Sequence, residues 1–73
     1  MSLDLLQLQS LLLLLRSRLE SELELWIQYS YLVEDLETQT ELQMAQAKRK
    51  LLDFQLDLVM QSLSQLEKDL DQA

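Results

Sequence analysis

Apolar residues in this chain recur at alternating steps of three and four. The first series is Leu5, Leu8, Leu12, Leu15, Leu19, Glu22, Trp26, Tyr29, Val33 and Leu36. It defines a heptad with a at 5, 12, 19, 26 and 33 and d at 8, 15, 22, 29 and 36. Glu22 is its one strongly polar member. The second series is Leu42, Ala45, Arg49, Leu52, Leu56, Val59, Leu63, Leu66 and Leu70, with Arg49 its one charged member. The two are out of phase, because Val33 predicts the next a position at Thr40 and the second series has it at Leu42.

The break falls in the polar stretch ETQTE, residues 37–41. Thr38 with Glu41 fits a capping box, and so does Thr40 with Gln43. The pattern predicts a single helical domain over 1–73, with a helix from about 3 to 36, a turn at about 37–40 and a helix from about 40 to 72. Each helix is expected to be roughly 50 Å long at 1.5 Å per residue. A continuous coiled coil with a four-residue stutter is the rival reading. Its seam would run through Tyr29, Val33, Leu36, Thr40, Met44, Ala47, Leu51 and Phe54.

Charge favours the antiparallel hairpin. Folding the chain back at residue 37 brings Val33 to Leu42, Leu19 to Leu56, Leu15 to Val59, Leu12 to Leu63 and Leu5 to Leu70. In that register Lys48, Arg49 and Lys50 lie near Glu20, Glu22 and Glu24, and Arg16 and Arg18 lie near Asp57 and Asp53. Each exposed pair contributes only about 0.2–1 kcal/mol, but register and sign agree. The polar seam residues Glu22 and Arg49 are candidates for a device that fixes register. The simpler reading is that both snorkel to the seam's edge. Arg49 is expected near Trp26, where a cation–π contact fits either reading.

The apolar surface is wider than one seam. Leu11, Leu25 and Leu32 fall on g of the first helix, and Leu6, Leu13 and Ile27 on b. Met44, Leu51 and Leu58 fall on c of the second helix, and Phe54 and Met60 also lie off its seam. In the run Leu11–Leu15 five consecutive residues go more than once round a helix, so Leu13 and Leu14 point away from the seam. So wide an arc belongs to a bundle rather than to a two-helix coiled coil. The expected fold is therefore all-α: an antiparallel helical hairpin that self-associates, with a twofold dimer forming a four-helix bundle as the simplest closure. The expected self-association core is Leu5, Leu8, Leu12, Leu15, Leu19, Trp26, Val33, Leu42, Leu52, Leu56, Val59, Leu63, Leu66 and Leu70. The wider face is Leu11, Leu13, Leu14, Leu25, Leu32, Met44, Leu51, Phe54 and Leu58.

Composition narrows the function classes. The chain has 73 residues and no Gly, Pro, Cys or His. A domain this small is marginal on its own, and neither a disulfide nor a structural zinc site is open to it. Leucine makes up roughly three residues in ten, far above the usual share. A net charge of −7 argues against direct nucleic-acid binding and against docking on an anionic membrane. The leucine run is not an export signal, since Asp4 precedes it and Arg16 and Arg18 follow. Nor does it reach the ~20 apolar residues of a membrane span. Absence of Cys fits a reducing compartment, so a cytoplasmic location is expected.

Catalysis is the weakest reading, since without His, Cys or a glycine loop the usual nucleophile–base pairs and phosphate cradles are missing. No catalytic, cofactor or metal residue is expected. Trp26 and Tyr29 read first as seam residues, and Tyr31 reads equally as a partner anchor or as cover for a helix edge.

The Leu- and Gln-rich acidic texture of LDLLQLQS (3–10) and MQSLSQLEKDLDQ (60–72) resembles the self-associating helical region of carboxysome-positioning adaptor proteins that partner a ParA-type ATPase. The resemblance is one of composition across the chain. It implies dimerisation as the task of this segment and a ParA-type ATPase as a protein partner, and it carries over no site residue. The functional expectation is a non-enzymatic self-association module, scaffold or adaptor. An adaptor or chaperone for another protein is the first alternative. A designed helical bundle is the second, favoured by the matched helix lengths and opposed by the leucine run and the Gly-free turn.

Overall fold

The computed structural model describes residues 4–35 and 39–72. Two helices occupy them: α1, Leu5–Asp35, and α2, Gln39–Gln72. At 1.5 Å per residue these are roughly 46 and 51 Å long. The molecule measures 54 × 18 × 17 Å, so the helices lie side by side rather than end to end. The chain is an antiparallel hairpin, and the continuous-helix alternative is excluded.

α1 opens on a reciprocal cap. The Gln7 backbone N–H donates to Asp4 Oδ1 at 2.7 Å, and the Asp4 N–H donates to Gln7 Oε1 at 3.3 Å. Two helix-terminal donors that have no intrahelical acceptor are thereby satisfied. The Leu8 N–H then donates to the Asp4 carbonyl and starts the helical ladder. At the other end of the hairpin, residues 36–38 lie outside the described residues, and with them Leu36 and the Thr38–Glu41 capping box. Thr40 does not act as a cap, because α2 has already begun at Gln39. Glu41 lies in the first turn of α2, where a carboxylate faces the positive end of the helix dipole.

The core is the predicted stripe of α2 meeting a different stripe of α1. Ala45, Leu52, Leu56, Val59, Leu63 and Leu66 are buried, and Leu42 and Leu70 are half-buried. Leu19, Leu52, Leu56, Val59 and Leu63 form one cluster, with Leu12, Leu23 and Trp26 packed against it. On α1 Glu22 and Ile27 are half-buried beside the covered stripe, whose own members are Gln9, Leu12, Arg16, Leu19, Leu23, Trp26, Ser30 and Val33. They keep alternating steps of four and three, but they follow a and e of the predicted heptad rather than a and d.

Leu5, Leu8, Leu15 and Tyr29, expected in the seam, are instead 38–43% exposed on its flank. The cause is the breadth of the apolar arc of α1. A single neighbouring helix covers only one narrow stripe, so apolarity alone does not choose the phase. The narrower stripe of α2 chooses it.

Candidate self-association surface

Among the described residues, one side-chain hydrogen bond links the two helices across the seam. Ser30 is buried at 3% exposure, and its hydroxyl donates to the Ile27 carbonyl at 2.8 Å. Arg49 Nη1 donates to the same Ser30 Oγ at 3.2 Å. Arg49 therefore reaches one turn nearer the bend than the expected position beside Trp26. It is half-buried, and so is Glu22, but the two do not answer each other. The partner Arg49 takes is a serine, which the apolar pattern passes over because its signal is small size and a hydroxyl.

The expected cross-helix charge pairs are not formed. Among the described residues the ion pair is Arg16 Nε with Glu20 Oε1 at 3.5 Å, one turn apart within α1 and largely solvated. Exposed long side chains gain too little from a partner on the other helix to be held there. The hairpin thus rests on apolar packing with the Arg49–Ser30 contact inside it.

Outside the seam the surface is apolar to an unusual degree. Leu11, Leu13, Leu14, Leu25, Leu32, Met44, Leu51, Phe54 and Leu58 are each exposed. They are joined by Leu5, Leu6, Leu8, Leu15, Tyr29, Tyr31 and Met60. Of the core expected for the bundle, Leu12, Leu19, Trp26 and Val33 lie in the hairpin seam with the whole α2 series, while Leu5, Leu8 and Leu15 lie on the open surface.

These side chains fall on two sides of the hairpin. On one, Trp26, Tyr29, Glu41, Met44 and Lys48 line a groove between the helices. Trp26 meets Tyr29 edge to face, with centroids 5.4 Å apart and rings at 85°. The indole thereby links the packed cluster to the exposed face. On the other side Leu13, Arg16, Met60 and Leu63 line a second groove.

Among the described residues, no group of three or more His, Cys, Asp or Glu side chains is set to hold a metal ion. Neither described helix is long and apolar enough to cross a membrane. No protein-family model, no curated protein and no solved structure matches the chain. The compositional resemblance to carboxysome-positioning adaptors has no support from these comparisons.

Proposed function

We propose that this chain is a non-enzymatic helical self-association module whose hairpin pairs with a second copy to complete a four-helix bundle. The observation that carries the reading is the apolar surface left over after the hairpin has formed. The chain exposes 5947 Å², whereas a globular monomer of its 8.6 kDa exposes about 4,700 Å². The excess, roughly 1,200 Å², is larger than the ~800 Å² per partner that a standard stable interface buries. Leu11, Leu15, Leu25 and Leu32 are among the exposed side chains, and exposed apolar residues in a contiguous patch mark an association site. Burial of one leucine side chain contributes about 1.5–3 kcal/mol, so a handful decides whether a domain of this size is stable.

Sedimentation equilibrium over a wide range of chain concentration tests the reading. A single dimeric species is the expected result. A monomer that keeps its helicity at every concentration would overturn it.

A further inference from the structure

We infer that the second copy docks antiparallel on α1, about a twofold axis at the level of Glu20, with Arg18 of each chain paired to Glu22 of the other. This deepens the self-association reading and rests on it. Flanking the seam, α1 carries a second series at alternating steps of three and four: Leu8, Leu11, Leu15, Arg18, Glu22, Leu25, Tyr29 and Leu32. Its apolar members are 38–64% exposed. Arg18 is exposed and Glu22 half-buried.

The series reads the same from both ends. Turned against itself, it sets Leu8 opposite Leu32, Leu11 opposite Tyr29, Leu15 opposite Leu25, and Arg18 opposite Glu22. Every apolar residue meets an apolar one, and the two charged layers at the centre meet with opposite sign. A parallel in-register dimer on this face would stack Arg18 on its own copy and Glu22 on its own copy. An antiparallel dimer slipped by one heptad would bury Arg18 against Tyr29 and Glu22 against Leu25, leaving both charges without partners. Polar residues at the middle of an apolar seam act in this way on register and partner number, because each wrong alignment strands a charge in a dry site.

α2 supports the same face. Met44 borders the groove of Trp26 and Tyr29, and Leu51 and Leu58 follow Met44 at heptad steps, so all three lie on this side of the hairpin. Leu56 belongs to one cluster with Leu19, which sets Leu51 and Leu58 on either side of the level of the axis. An axis perpendicular to the helices at that level stacks α1 on α1 and α2 on α2, and every neighbour in the bundle is then antiparallel.

Charge reversal tests the pairing in the full chain. Arg18→Glu leaves two acidic residues on the face, and Glu22→Arg leaves two basic ones. Each variant alone is expected to dimerise roughly 100-fold more weakly than the wild type, the scale of losing desolvated charge pairs. Their equimolar mixture is expected to form a heterodimer within about tenfold of wild-type affinity, because every central contact is again between opposite charges. The double substitution Arg18→Glu/Glu22→Arg should restore the homodimer. Effects confined to one chain cannot produce rescue on mixing.

A spin label on a single Ser10→Cys, in a chain that otherwise has no cysteine, reads the orientation independently. Antiparallel docking separates the two labels by about 30 Å along the axis, whereas parallel docking sets them at the same level. Single variants that dimerise like the wild type, a mixture no tighter than its components, or labels at the same level would overturn the inference. A wild-type dimer indifferent to charge reversal rejects this geometry alone, while a wild-type monomer rejects the self-association reading itself.

Discussion

At the scale of single residues, the seam mixes side chains of very different weight. Leu52 and Val33 are each 1% exposed, and Leu52 lies inside the main cluster. Leu52→Ala should therefore cost about 2–5 kcal/mol, the range for a buried leucine that leaves a cavity. Ser30 is nearly as buried, but its hydroxyl serves two contacts of lesser weight. One is a local bond to the Ile27 carbonyl within its own helix. The other accepts from a half-buried Arg49, which retains access to water. Ser30→Ala removes the acceptor without stranding the guanidinium, and is expected to cost no more than about 0.5–1.5 kcal/mol. Urea denaturation at fixed chain concentration measures both. Equal losses would mean that the Arg49–Ser30 contact holds the hairpin as firmly as the leucine core does. The serine was illegible in the sequence for the same reason: apolar periodicity registers Trp26 and Val33 and steps across the small polar residue between them.

At the scale of the helix, α1 and α2 fold by the same rule and were legible to different degrees. The seam of α2 is narrow, so Leu52, Leu56, Val59, Leu63 and Leu66 follow from their spacing and are all buried. In α1 the run Leu11–Leu15 satisfies several phases at once, and the a/d reading took Leu8, Leu15 and Tyr29 where the structure uses Leu23 and Ser30. That displacement separates two substitutions which the heptad alone makes equivalent. Leu56→Asp puts an unpaired charge into the packed cluster and should abolish cooperative melting. Leu15→Asp alters a side chain already 43% exposed. It should leave the seam packing intact but weaken association, so that a cooperative melt is recovered only at much higher chain concentration than the wild type needs. Circular dichroism over a concentration series distinguishes the two, and a Leu15→Asp chain that stays dimeric would exclude its face from the interface. The start of α1 adds a smaller effect. Asp4→Ala removes the side-chain half of the reciprocal cap with Gln7 and should lower stability by about 0.5–2 kcal/mol, with the loss of hydrogen-exchange protection confined to the first turn.

At the scale of the whole molecule, the hairpin answers the question of topology and raises that of sufficiency. Its 54 Å length brings the ends of α1 and α2 together, as the sign-matched charges predicted, although the charges themselves do not pair across the helices. Topology was legible because the phase change at the polar break left two readings, and the sign-matched register of the charges chose the hairpin between them. The individual ion pairs were not, since solvated side chains are free to choose a neighbour on their own helix, as Arg16 does with Glu20. Sufficiency turns on the ratio of core to surface. A two-helix unit shields one stripe of each helix, and this chain leaves leucine exposed along most of α1. Folding and association should therefore be one event, with apparent stability set by mass action. If unfolding enthalpy is about 0.7 kcal/mol per residue, a dimer of this length that dissociates as it unfolds should lose roughly 5 °C in melting temperature for each tenfold dilution. A hairpin stable by itself would melt at the same temperature throughout. Calorimetry across two decades of concentration reads the slope directly, and a flat line would show that the seam between α1 and α2 is enough without a second copy.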